Sequence, residues 1–494
     1  MTKNKKIICD TIINILIKTI TFIMSLVLSK KLISGYNSSI NGLFSLIGQI
    51  FTYVALLEAG IGNATQQQYF NYLAKDDYNN SKAVFDASKR NYIRASYIYF
   101  VISLLVSILI PFMANSGLNY FIVFFLSILQ GLSGILTFTF LSSYKNLMIS
   151  SGDYKISNIY NSIAYIGIII LKILVIAFNF NIVFIQLSQI IGTVIEIIIT
   201  RNYCRKKYKW LEIKTDKNIE LTQRKAFLVH EISGAVFSST DIIILSIFCS
   251  LKVASVYSVY NIVYSAIASV ASVISTSIIY YIGIEYNKNT KEYYKMHDKF
   301  ECIYISLIFS IVISVTMMCM NFIRIYTKGI TDINYVDRYL PVLFATIQIL
   351  TCGRSISNRV IGIAGFAKET QFRSVIETVI NIVASIILTT RFGIYGVLLG
   401  TIIATTYRTI DVLVYVNTKI LKRINLKIFI MLFVDFIISG IMISLGNIVI
   451  SGYNNYFQLI IPSIICGVMS LIIFFSTNWM IYLKLFKNMI IKKN

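Results

Sequence analysis

An all-α protein that crosses a membrane many times is what the sequence predicts, and three observations carry the prediction. Of 494 residues, 56% are hydrophobic, 14% are charged and only 3 are Pro. The mean hydropathy of +0.72 is too apolar for a soluble globular chain. About fourteen stretches each supply the roughly 20 apolar residues that an α-helix needs to cross a ~30 Å hydrocarbon core, which leaves no length for a soluble catalytic domain.

Reading apolar runs against charged breaks places the spans near 11–33, 41–66, 93–112, 119–141, 156–178, 182–200, 226–249, 255–282, 300–323, 339–363, 374–391, 395–417, 428–450 and 455–483. The first follows Lys3, Lys5 and Lys6 as a signal peptide would, but no small-x-small cleavage site precedes Lys30 and Lys31. It reads as a retained helix. Between the second and third spans lies a basic loop in which Asp76 and Asp77 form a solvated face. After the sixth comes the densest basic segment, 201–225, where Arg201, Arg205, Lys206, Lys207 and Lys209 precede Lys214, Lys217, Arg224 and Lys225, beside Trp210. It reads as a positive-inside stop signal against anionic headgroups, with a specific partner site as the alternative.

The formal net charge of +23 would suggest nucleic acid in a soluble protein. Here placement explains it. With the N-terminus inside, most of the 45 Lys and Arg fall on the cytoplasmic side, which puts both termini in the cytoplasm and leaves no role for nucleic acid.

Parts of the chain recur at an offset of roughly 208 to 220 residues, as in a duplicated transporter. Asn41-Gly42-Leu43-Phe44-Ser45 matches Asn261-Ile262-Val263-Tyr264-Ser265, Lys75-Asp76-Asp77-Tyr78 matches Lys291-Glu292-Tyr293-Tyr294, and Gly152 with Lys155 matches Gly365 with Lys368. Six spans make one unit. An even number of crossings returns the chain to its starting side, so the halves are parallel repeats: 1–200 and 226–420, joined by the linker 201–225 and followed by two additional helices and a basic tail in 421–494.

Charge in hydrocarbon costs at least a few kcal/mol, so intramembrane ionisable residues are the candidates for function. The cations are Lys18, Lys172, Arg354, Arg359 and Arg408; the acids are Glu58, Glu196, Asp241, Glu377, Asp411 and Asp435. Arg408 and Asp411, three apart, are expected to neutralise each other, Glu377 to pair with Arg373 one turn earlier, and Glu196 to reach the headgroups. Lys18 is within snorkelling reach of the interface or faces the lumen. Lys172 lies deeper, among Ile and Leu, and is expected to face the lumen. Arg354 and Arg359, five apart, lie about 140° apart around a helix and cannot both line one narrow face, so one is expected to bind substrate and the other protein. Asp241, with no Lys or Arg within a turn, is expected to couple or gate transport or to form a structural hydrogen bond.

Enzyme readings fail. The longest outer loop, near 324–338, lacks a paired acid motif, and no GxxxxGK[ST] phosphate loop is present. The only His, His230 and His297, show no ligand partners at metal spacing, and the 7 Cys have no CxxC spacing. No metal, disulfide framework or cofactor is expected.

At Leu56-Leu57-Glu58-Ala59-Gly60-Ile61-Gly62-Asn63-Ala64, followed by Tyr72-Leu73-Ala74-Lys75-Asp76-Asp77-Tyr78, the sequence resembles bacterial polysaccharide flippases of the multidrug/oligosaccharidyl-lipid/polysaccharide exporter superfamily. Ser238-Ser239-Thr240-Asp241-Ile242-Ile243-Ile244-Leu245-Ser246, with Val253, Tyr257 and Tyr260, is similar to that family's seventh-helix pattern, although Ile stands after Asp241 where Asn is usual. The resemblance implies a flippase moving undecaprenyl-diphosphate-linked oligosaccharide from the cytoplasmic to the outer leaflet of a bacterial inner membrane. With the two repeats and the intramembrane charges, such a cargo would cross by alternating access around a cavity whose cations, Lys18, Lys172, Arg354, Arg359 and Arg408, are expected to hold the diphosphate, with Glu58 and Asp241 coupling or gating. Anionic membrane lipids are expected as partners, and a polysaccharide polymerase is a further candidate. An acid-dominated cavity would instead mark a drug or cation antiporter of the same superfamily.

Overall fold

The structure, a computed structural model, describes the backbone of residues 3–491 apart from 59, 74, 214, 216, 218, 221–239, 289, 424–425, 450–452 and 454. Side chains are described for the same residues except 3–15, 57, 71, 276–292, 367–368, 447–449 and 484–491. Among these residues the chain is helical and has no strand. The helices are α1 (Lys3–Gly35), α2 (Ser38–Ala55), α3 (Ile61–Leu73), α4 (Tyr78–Met113), α5 (Tyr120–Phe140), α6 (Ser142–Ser150), α7 (Tyr154–Ala177) and α8 (Val183–Lys207). After α9, described over 240–248, come α10 (Leu251–Lys288), α11 (Thr290–Tyr326), α12 (Leu340–Gly353), α13 (Ser355–Ile363), α14 (Ala367–Phe392), α15 (Ile394–Tyr415), α16 (Lys427–Val449) and α17 (Tyr456–Ile491).

Among the described residues, 11 spans are long and apolar enough to cross a membrane. They match the expected third to sixth and eighth to fourteenth spans. The first expected span is α1, whose early side chains lie outside the described residues, and most of the seventh, 226–249, lies outside them too. The second is a correction: 41–66 is not one helix. α2 stops at Ala55, a 3₁₀ turn covers Leu56–Glu58, and α3 restarts at Ile61. Gly60 sits at φ 83, a left-handed conformation that an α-helix cannot contain and that Gly adopts without a Cβ clash.

The chain forms two compact units, one of residues 19–258 and one of 1–18 with 259–494. In the first, α4 packs on α5, and α8 on α5 and α7. Asp77 caps α4 by accepting from the Asn80 backbone N–H at 3.0 Å. Tyr208, Trp210 and Glu220 lie across α3, α4 and α6: Trp210 stacks on Tyr78, Gln68 donates to the Glu220 carbonyl at 2.7 Å, and Tyr208 closes an apolar cluster with Tyr69, Phe85 and Leu147. Where α8 ends, Asp153 takes the Lys207 ammonium at 2.6 Å and the Tyr203 and Tyr208 hydroxyls. Burial pushes this carboxyl up, but the Lys207 ammonium and the two hydroxyls outweigh it and hold it below the ordinary carboxylate range.

In the second unit α15 runs against α14, and α11 against α16 and α17. Gly396 and Gly400, one turn apart on α15, face the α14 backbone at Leu388 and Ser385, where a Cβ would overlap it. Small residues at this spacing let two membrane helices approach closely.

The repeated glycines occupy one structural device. In the first unit α5 breaks at Leu141 into the short α6, Gly152 follows at φ 84, and the Asp153 N–H reaches back to the Met148 carbonyl at 2.8 Å before α7 begins. In the second, α12 breaks at Arg354 into the short α13, Gly365 follows at φ 79, and the Phe366 N–H reaches the Ile361 carbonyl at 3.0 Å before α14. Both are Schellman-type helix ends, which require the left-handed residue that Gly supplies.

Candidate functional site

Lys172 lies in the last third of α7, and its ammonium donates to Gln189 Oε1 on α8 at 3.0 Å. Gln186, three residues before Gln189 and so on the same face of α8, donates to Gln130 Oε1 on α5. The four polar side chains line a cavity of about 190 Å³ within the first unit, walled on its apolar side by Leu28 and Leu32 of α1 and Phe44 and Ile47 of α2. Among the described residues no carboxylate pairs with Lys172. An ammonium inside hydrocarbon requires compensation, and here one neutral amide oxygen, Gln189 Oε1, supplies it, so the positive charge stays uncancelled. The volume is below the ~300–1,000 Å³ of sites that enclose a whole drug-sized ligand. It suits an anionic group rather than an entire oligosaccharide.

Asp241 is buried in α9 and accepts from the Tyr257 hydroxyl of α10 at 2.7 Å. One residue earlier, Thr240 Oγ1 lies 2.5 Å from the Tyr53 hydroxyl of α2. Asn41 continues this polar seam: it takes the Ser29 hydroxyl at 3.1 Å and donates to Ser255 at 2.8 Å and Ser258 at 3.2 Å. A Cβ at neighbouring Gly42 would overlap the Leu251 carbonyl, so α2 and α10 meet at backbone contact. Asp241→Asn is expected to lower the dependence of transport on ion or proton gradients at near-normal folded yield, with Tyr257→Phe milder. Equal loss of folded protein in both variants, measured by thermal melting with gradient dependence intact, would make the pair structural.

Glu58 ends the 3₁₀ turn and accepts from the Ser142 hydroxyl at 3.1 Å, beside the start of α6, where a carboxylate is favoured by the helix dipole. Glu196 pairs with Lys145 at 2.6 Å.

The arginines lie elsewhere, in the second unit. Arg354 sits at the junction of α12 and α13, so it does not share one continuous helix with Arg359. Its guanidinium pairs with Glu377 on α14 at 2.6 Å. Arg408 on α15 pairs with Asp411 at 2.6 Å, as its three-residue spacing predicts, and approaches Glu377 at 3.6 Å. Arg373 binds Asp411 instead of Glu377, the partner expected for it, because α15 brings a carboxylate closer than the next turn of its own helix. Arg359 donates to Ser275 Oγ at 3.2 Å, and Lys18 lies on the exposed face of α1.

A buried acid–histidine cluster lies on α11, where the four-residue spacing of His297 and Glu301 puts both on one helix face. Fully buried His297 lies 3.6 Å from both Asp298 and Glu301, and the three offer ligand atoms within 4.8 Å of one another. Asp298 is already held by Arg423 and by Lys427 at 3.4 Å, and Glu301 by Ser357 at 2.5 Å. The group is an internally compensated network.

No protein-family model matches the chain, and no curated protein matches it by sequence. Solved structures do. The lipid II flippase MurJ in an inward closed conformation is similar at a TM-score of 0.66 and 15% identity, covering 94% of this chain and 98% of that one. The chain has the MurJ and MATE fold. An inward-facing multidrug resistance MATE transporter of the MOP superfamily matches at 0.60 and 13% identity, covering 89% of this chain and 100% of that one. A MOP superfamily transporter from Pyrococcus furiosus, described as having a binding pocket of reversed polarity, matches at 0.54 and 13% identity, over 85% and 97%. Pocket polarity therefore varies on this fold, and a substrate must be argued from side chains rather than from topology.

Proposed function

We propose that this multi-pass membrane protein is a transporter that flips an undecaprenyl-diphosphate-linked oligosaccharide to the outer leaflet of a bacterial inner membrane, with both termini cytoplasmic. The observation that carries this reading is Lys172: a cation with no carboxylate partner among the described residues, in a cavity edged by three Gln side chains. A diphosphate crossing a low-dielectric layer needs a charge of opposite sign and hydrogen-bond donors, and Lys172 with Gln130 and Gln186 offers both. Arg354 and Arg408 are offset by Glu377 and Asp411, so in this reading they contribute less than Lys172, while Lys18 and Arg359 complete the cation set. The sugar head stays outside a cavity this small, and the lipid tail stays in the bilayer. Alternating access of the two repeats carries the head group across. The likeness to a lipid II flippase supports a lipid-linked cargo.

A drug or cation antiporter is the second reading, favoured by the buried Asp241 and the MATE likeness. Binding to the purified chain separates the two. Preference for a lipid-linked diphosphate oligosaccharide over lipophilic cations, lost at high ionic strength, is the expected result; preference for the cations would install the antiporter.

A further inference from the structure

The helix pair α16 and α17, which follows the second repeat, contains a fully buried acid that nothing above uses. Asp435 on α16 has no solvent exposure, and its Oδ2 accepts from Asn478 Nδ2 of α17 at 2.7 Å. The same Asn478 amide donates to Ser306 Oγ of α11 at 3.1 Å. Asn478 and Ser306 are equally buried. Two oxygens remain without any hydrogen-bond partner: Asp435 Oδ1 and Asn478 Oδ1. Among the described residues no cation pairs with Asp435; Lys427, two turns earlier on α16, is engaged with Asp298.

Both orphans are acceptors, so what is missing is a donor. An ionised carboxylate with no cation beside it costs several kcal/mol to bury in a membrane protein, and such a group takes up a proton instead. A proton on Asp435 Oδ1 turns that atom into a donor, and the neighbouring orphan, Asn478 Oδ1, is the acceptor a side-chain amide offers to an acid whose other oxygen it already binds. Acid and amide then close a two-bond ring, and one proton answers both deficits.

We propose that Asp435 and Asn478 form a proton-binding site in the C-terminal helix pair, occupied at neutral pH and emptied when α16 and α17 move apart, so that transport is coupled to proton release. Phe309 of α11 packs on Phe436, the residue after Asp435, and on Phe474, one turn before Asn478. Among the described residues, the titratable and charged groups on the packed elements include His297, Asp298, Glu301 and Cys302 on α11, Lys427 on α16 and Tyr482 on α17. Of these, Cys302 is close enough to feel the Asp435 charge.

Infrared spectroscopy of the full chain in liposomes tests the site without reference to the cargo. At neutral pH the protein is expected to show the C=O stretch of a protonated carboxyl that disappears in Asp435→Asn and shifts in Asn478→Leu. Asp435→Asn mimics the protonated acid in shape and is expected to fold. It is also expected to lose most of the response of substrate flux to an imposed proton gradient. Asp435→Glu, which keeps the band at a shifted position, serves if Asn is not tolerated. A carboxylate rather than a carboxyl signature at Asp435, a signature that appears only on removing sodium, or an unchanged gradient response in a folded Asp435→Asn would each overturn the proposal.

Discussion

Lys172→Gln is expected to abolish export of lipid-linked oligosaccharide while membrane abundance stays normal. A charge-assisted hydrogen bond contributes about 1.5–3 kcal/mol. Its loss corresponds to roughly ten- to a hundred-fold weaker binding, since about 1.4 kcal/mol is tenfold. The fold has little reason to suffer, because Lys172 is held by one bond to the neutral Gln189 amide, and removing its charge leaves no buried counter-charge unpaired. Lys172→Arg is expected to retain partial export if the site needs only positive charge and to fail if the cavity is shaped for a compact ammonium. Export in cells, with immunoblots for abundance and direct binding of the lipid-linked diphosphate, checks each variant. Normal export by Lys172→Gln would remove the cationic cavity and move the antiporter reading ahead.

Glu377→Gln is expected to have the largest effect on stability. Its carboxylate lies 2.6 Å from Arg354 and 3.6 Å from Arg408, and all three side chains are buried, so removing its charge strands the Arg354 guanidinium away from water while Arg408 keeps Asp411 at 2.6 Å. Breaking a buried pair by deleting one partner costs about 3–5 kcal/mol. Arg354→Gln combined with Glu377→Gln is expected to recover part of that loss, because it removes the stranded charge as well. A double-mutant cycle on thermal melting measures the coupling. If the double variant folds and exports normally, Arg354 serves the fold. If it folds and cannot export, Arg354 also serves the cargo.

The two predictions rest on different kinds of information. That Lys172 lies deep in an apolar helix was legible in the chain, because a lone cation among Ile and Leu stands out against a hydropathy pattern with no other use for it. The spans were legible for the same reason: the lipid core forces about 20 apolar residues per crossing, so eleven expected spans reappear as described helices. Gly152 and Gly365 were visible as a recurrence, and their left-handed conformations account for the residue type.

The Arg408–Asp411 pair follows from its three-residue spacing, but tertiary structure decided the pairings between helices. Neighbours along one helix are limited to the next turn, whereas packing brings α12, α14 and α15 together and lets Arg354 and Arg408 compete for Glu377, leaving Arg373 to Asp411. The Gln ring around Lys172 is likewise invisible in sequence, since Gln130 and Gln189 come from separate helices that only the fold makes adjacent. Asp435 and Asn478 lie on successive helices, and nothing in their spacing announces that one proton would satisfy both. Hydropathy is additive along the chain, so the sequence by itself determines which segments enter the membrane. Electrostatic compensation depends on distances of a few ångströms between segments, and only the packed structure sets those.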